Sequence, residues 1–102
     1  MRLRAKVDIN QKEIVSQLRK IGCSVLHLHT IGRGAPDILV GKNGVNYLFE
    51  IKDGTKTASQ KKLTPDEVDF HESWRGQVTI MENIEQAIEY LRTKQTAAST
   101  KD

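Results

Sequence analysis

The dipeptide Asn43-Gly44 is the strongest local constraint in the chain. Asn and Gly accept positive φ at both central positions of a two-residue hairpin turn, and such a turn matches the natural twist of the strands it joins. Short apolar segments flank it, Asp37 to Gly41 on one side and Val45 to Lys52 on the other. The chain is therefore expected to fold back here as an antiparallel hairpin. Alternation along the return strand puts Val45, Tyr47, Phe49 and Ile51 on one face, and Leu48, Glu50 and Lys52 on the other.

The remaining elements follow from periodicity and caps. Ile14, Leu18 and Ile21 recur at helical spacing, widened by Val15, and predict a helix over 10–21 with Asn10 at its start and Gly22 at its end. Ser24 to His29 reads as a strand with Val25, His27 and His29 on one face. Leu63-Thr64-Pro65-Asp66-Glu67 opens a second helix: Thr64 caps, Pro65 takes the first helical position and Glu67 completes a capping box. That helix runs to about Trp74. Gln77 to Met81 reads as a further strand. Asn83 caps a last helix with Ile84, Ala87, Ile88 and Leu91 on its buried face. The order α-β-β-β-α-β-α predicts an α/β fold of the α+β kind, a small mixed sheet flanked by helices. Its 102 residues suit one domain, with an ordered core over about 8–94, a basic arm at 1–7 and a loose polar tail at 95–102.

Charge narrows the partners. Residues 1–62 carry 12 Lys/Arg against 5 Asp/Glu, whereas residues 63–102 carry 4 against 8. A basic region of this kind suits a polyanion such as nucleic acid. The longest apolar run, Ile38-Leu39-Val40, is far too short to span a bilayer, so no membrane partner is expected. No apolar core follows the basic start, and Cys23 is the only cysteine. Neither a secretory signal nor an internal disulfide is expected, and an intracellular, cytoplasmic setting is favoured.

The chemistry gathers at the open end of the hairpin. Asp37 begins one strand and Glu50 lies near the end of its partner, so the turn brings them close. Lys52 shares the face of Glu50, about 7 Å along the strand. Two acids and a lysine do not meet on an apolar sheet for stability, because buried charges cost several kcal/mol each unless paired or bound to metal. A hard divalent cation resolves the arrangement: it takes one or two carboxylates, keeps water, and draws other ligands from substrate phosphate. The Ile51 carbonyl is a further candidate ligand, and Lys52 is placed to orient water or to stabilise transition-state charge.

These residues resemble the PD-(D/E)XK nuclease superfamily, in particular its stand-alone VRR-NUC branch in phages and bacteria. The likeness is carried by Asn10-Gln11-x-Glu13, Gly34-x-Pro36-Asp37, Glu50-Ile51-Lys52 and Leu63-Thr64-Pro65-Asp66-Glu67, and spans most of residues 8–90. It implies a restriction-endonuclease-like core and hydrolysis of DNA phosphodiester bonds with Mg²⁺ or Mn²⁺, without a nucleotide cofactor. The resemblance implies that, like some small members, the chain acts as a homodimer on branched DNA, such as Holliday junctions. The resemblance also implies an acid on the first helix that completes the metal site. Glu13 is the candidate, and its position three residues after Asn10 equally suits a capping box. One departure is Glu67, which stands where VRR-NUC sequences carry Gln; its capping role accounts for it here.

Arg33, Lys56, Lys61 and Lys62 are candidates for holding phosphates, with Gln11 as a neighbour of the site. His27 and His29 share a strand face but lack a third ligand, and His71 with Trp74 reads as packing. Two other functions fit parts of the pattern: a DNA-binding module on the same fold without cleavage, and a nuclease subunit that needs a targeting partner. An interaction domain using the acidic second half would leave the converging hairpin charges unexplained.

Overall fold

The computed structural model describes residues 9–99, with the side chains of 9–96; the basic arm at 1–7 and the last residues of the tail lie outside them. Helix α1 (Ile9–Lys20) leads into β1 (Ser24–His27), β2 (Ile38–Lys42) and β3 (Val45–Ile51). A single 3₁₀ turn (Ser59–Lys61) interrupts the loop after β3. Then come α2 (Pro65–Ser73), β4 (Thr79–Met81) and α3 (Ile84–Ser99). The expected order therefore holds, in a sheet ordered β1-β2-β3-β4. β2 runs antiparallel to both β1 and β3, and β4 lies parallel to β3. Helix α2 supplies the crossover that a parallel pair requires.

The Asn43-Gly44 turn has φ of +50° and +83°, as a two-residue hairpin turn demands. It sets Val40 opposite Tyr47 and Ile38 opposite Phe49. These side chains, with Val25 and Ile51, form the floor of the core, and Ile14, Val15, Leu18, Ala87 and Leu91 cover it from α1 and α3. Tyr90 meets Phe49 and Tyr47 edge-on, with ring centroids 5.7 and 5.9 Å apart. Gly22 takes φ +97° and ends α1, as its sequence position predicts.

Several boundaries differ from expectation, each for a stated reason. Asn10 lies inside α1 rather than capping it: its amide donates to the Lys52 carbonyl at 2.9 Å and to the Glu82 carbonyl at 3.3 Å. Ile21 falls beyond the helix and is exposed, as is Ile88, which lies off the stripe formed by Ala87 and Leu91. The polar stretch from Gln95 is not loose: α3 continues through Ser99, and Gln95 donates to the Tyr47 hydroxyl (2.7 Å) and to the Lys42 carbonyl (3.2 Å). These long-range bonds fasten the end of α3 to the hairpin turn.

Candidate active site

The second sheet face carries Glu50 and Lys52. Asp37, immediately before β2, stands beside Glu50 because Ile38 pairs with Phe49, and the next residues outward meet across the strands. Asp37 is fixed from two sides: its carbonyl accepts from the Leu28 amide at 2.8 Å, and its Oδ2 accepts from the Ile51 amide at 2.7 Å. Lys52 Nζ lies 3.8 Å from Glu50 Oε2 and 3.0 Å from Glu67 Oε1.

Glu50 is the only buried charged residue among the described ones, at 2% exposure, and its Oε1 is enclosed without a hydrogen-bond partner. Burial, then the adjoining Asp37 charge, pushes the Glu50 carboxyl up to about 9. Burial also raises Asp37, against the pull of the Ile51 amide. The two acids thus titrate as a coupled pair that resists ionising together. A carboxylate pair of this kind, with one bare buried oxygen, suits a hard cation. Among the described residues no three His, Cys, Asp or Glu side chains converge for that purpose. Asp37, Glu50 and the Ile51 carbonyl are the available protein donors, and water or a phosphate oxygen would supply the rest.

Glu67 does more than its sequence position indicates. The capping box forms as expected: the Thr64 side chain accepts from the Glu67 amide, and Glu67 Oε1 accepts from the Thr64 amide at 2.9 Å. The same oxygen receives Lys52 Nζ. Burial pushes the Glu67 carboxyl up, but the Thr64 amide and the Lys52 ammonium outweigh it and hold the group below the ordinary value. One glutamate therefore closes the start of α2 and tethers the site lysine. Its place three residues after Thr64 marked the cap alone.

Gly34 makes this approach feasible. It adopts φ +77°, and a Cβ there would lie 2.1 Å from the Asp66 carbonyl oxygen. The loop before Asp37 thus packs directly on the first turn of α2, which puts Glu67 within reach of Lys52.

The other candidates scatter. Lys56 lines a hollow of about 310 Å³ with Ile51, Lys52, Asp53 and Gln60, directly beside the site. Lys61 is engaged elsewhere, 3.2 Å from Glu82 Oε2. Arg33 and Lys62 are exposed on the loops at either side. Glu13 is not brought to Asp37 and Glu50: it is exposed and lines a hollow between α1 and α3 with Asn83 and Glu85. Gln11 is buried on the opposite sheet face, where its Nε2 donates to His27 Nδ1 at 3.3 Å. Helical geometry explains both positions, since Gln11 shares the inward stripe of Ile14, Val15 and Leu18 while Glu13 does not. His71 packs edge-on to Phe70, which stacks on Trp74.

No family model matches the sequence, and no curated protein matches it. A solved structure described as a VRR_NUC domain is similar, with a TM-score of 0.60 and 28% identity over 80% of this chain and 89% of that one. The chain has a VRR-NUC nuclease-like fold, a mixed four-stranded sheet with three α-helices consistent with a restriction-endonuclease-like core. No helix among the described residues is long and apolar enough to cross a membrane.

Proposed function

We propose that this protein is a divalent-metal-dependent DNA endonuclease, selective for branched DNA and active as a homodimer. The observation that carries the reading is the Glu50 carboxylate, buried with a bare oxygen against Asp37 and beside Lys52, on a nuclease-like fold. Asp37, Glu50 and the Ile51 carbonyl would hold Mg²⁺ or Mn²⁺. When bound, such an ion lowers the pKa of water and neutralises charge that grows on the phosphate.

The chain's own groups do the rest. Asp37 is pre-aligned by the Ile51 amide, so its carboxylate needs no reorganisation. Lys52 donates to the attacking water or to the phosphate oxygens, and Glu67 keeps its ammonium at the site before substrate arrives. Lys56, and Arg33 and Lys62 on the flanking loops, supply charge for backbone phosphates. DNA shape is the expected determinant of substrate choice. The exposed Trp74 region is a candidate dimer contact.

The test is cleavage of labelled single-stranded, duplex, flap and four-way-junction DNA with Mg²⁺ or Mn²⁺, comparing wild type with Lys52→Ala. Metal-dependent cutting that the variant loses by on the order of a hundredfold or more supports the enzyme. Salt-sensitive binding without cutting under either metal would favour a binding module. Equal cutting of linear and branched DNA by a monomer would remove the structure-selective dimer.

A further inference from the structure

A second concentration of positive charge lies around the sheet edge from the acids. Beside α1 and the edge strand β1 is a hollow of about 480 Å³, lined by Lys12, Val15, Ser16, Arg19, Lys20 and His27. Among the described residues no carboxylate lines it. Each polar group it presents donates hydrogen bonds, and two of them are held in place. Arg19 Nη2 donates to the Val25 carbonyl at 3.1 Å, which anchors the guanidinium and leaves its other N–H groups for the hollow. The buried Gln11 amide meets His27 Nδ1 at 3.3 Å, which holds the ring beside the hollow. Two exposed lysines beside an anchored guanidinium suit a phosphate oxygen.

Its position relates it to the acids. His27 pairs with Ile38, the residue next to Asp37, and the Leu28 amide binds the Asp37 carbonyl. The hollow lies on the α1 side of the sheet, at the edge where β1 has no further neighbour, and Asp37 lies on the adjacent strand's end. A backbone that passes over Asp37 and Glu50 and bends round the β1 edge meets the hollow next.

We propose that the α1–β1 hollow is a second phosphate subsite, which binds a backbone phosphate of the DNA flanking the point of cleavage. The inference rests on the nuclease reading for its ligand, and its test is independent of cutting. Lys52→Ala protein is titrated with fluorescein-labelled duplex and four-way-junction DNA over a range of NaCl concentrations, with and without Lys12→Gln/Lys20→Gln. Each phosphate contact contributes about 0.9 to the slope of log affinity against log salt on duplex DNA. The pair is expected to lower that slope by about 1 to 2 and low-salt affinity by about tenfold or more. Arg92→Gln/Lys94→Gln removes the same charge from exposed positions of α3 and is expected to leave the slope unchanged.

An unchanged slope in the Lys12/Lys20 variant, an equal loss in the control, or no DNA binding by the Lys52→Ala protein overturns the subsite. The cleavage panel reports separately. A wild type that cuts nothing, combined with a slope that still falls only in the hollow variant, would end the nuclease reading and leave the subsite standing.

Discussion

The two faces of this sheet are built on opposite terms. One is closed: Val25, Ile38, Val40, Tyr47, Phe49 and Ile51 lie under α1 and α3 and are buried. The other is half open. Leu26 and Ile80 remain 61% and 40% exposed, and none of the side chains of α2 is buried. Yet the open face holds the only fully buried charged side chain among the described residues, Glu50. The closed face gains stability from apolar area removed from water. The open face gives some up, since an enclosed carboxylate with a bare oxygen is unfavourable until something binds it. Stability and function are thus divided between the faces of one strand, β3, whose alternate residues serve each.

The sharpest break in that contrast is Glu50→Gln. If the carboxylate serves function at the expense of stability, the variant loses cleavage by on the order of a thousandfold, about 4 kcal/mol in barrier, and becomes more stable without metal. The sign follows from the raised group. With its folded value up at about 9 and its ordinary value at 4.5, the neutral acid is favoured in the fold. Its contribution is fully present below about pH 4.5 and is lost as pH rises towards 9. Metal-free wild type should therefore melt lower at pH 8 than at pH 5, and the Gln variant should lose most of that dependence. Mn²⁺ should raise the melting temperature of wild type at pH 8 and leave the variant nearly unmoved. A variant less stable than wild type at pH 8 without metal would refute the division of faces.

On the closed face the expectation reverses. Phe49 is wholly buried against Tyr47 and Tyr90. Phe49→Ala should cost about 3–5 kcal/mol in urea unfolding, at any pH and with little dependence on metal.

On the open face, Gly34 seats α2 against the loop before Asp37. Gly34→Ala adds a Cβ 2.1 Å from the Asp66 carbonyl oxygen at a residue with φ +77°. The predicted loss is about 1–3 kcal/mol of stability. Cleavage should fall further than stability does, because α2 must retreat and take Glu67 away from Lys52. An activity loss no greater than the unfolded fraction explains would separate α2 from the site.

The hairpin and its face alternation were legible because they are local: Asn43-Gly44 sets the turn, and a period of two does the rest. The cap of α2 was legible for the same reason. What was hidden depends on contacts far apart in the chain. Asn10 reads as a helix cap until the carbonyls of Lys52 and Glu82 are seen to take its amide. Gln95 reads as tail until it reaches Tyr47. Glu13 and Gln11 lie two residues apart in one motif, but helical rotation sends one to solvent and the other under β1. Glu67 was legible as a cap and illegible as a partner of Lys52, because that pairing needs Gly34 to bring α2 against the loop.

The smallest effect isolates that double use of Glu67. Thr64→Ala deletes the side-chain acceptor for the Glu67 amide but keeps the Glu67 carboxylate. Loss of a cap costs about 1 kcal/mol, here confined to the first turn of α2. Because α2 buries little, that loss should appear as faster amide exchange at Glu67 and Val68 and hardly at all in the closed core. Glu67→Gln makes the complementary change: its amide oxygen keeps the bond to the Thr64 N–H, and the ion pair with Lys52 is lost. If the cap alone matters to the site, Thr64→Ala lowers cleavage more than Glu67→Gln does. If the tether matters, the order inverts, with α2 exchange unchanged in the Gln variant. The shared oxygen at 3.0 Å from Lys52 and 2.9 Å from the Thr64 amide favours the inverted order, because the ammonium loses a full charge partner while the Thr64 N–H keeps its acceptor.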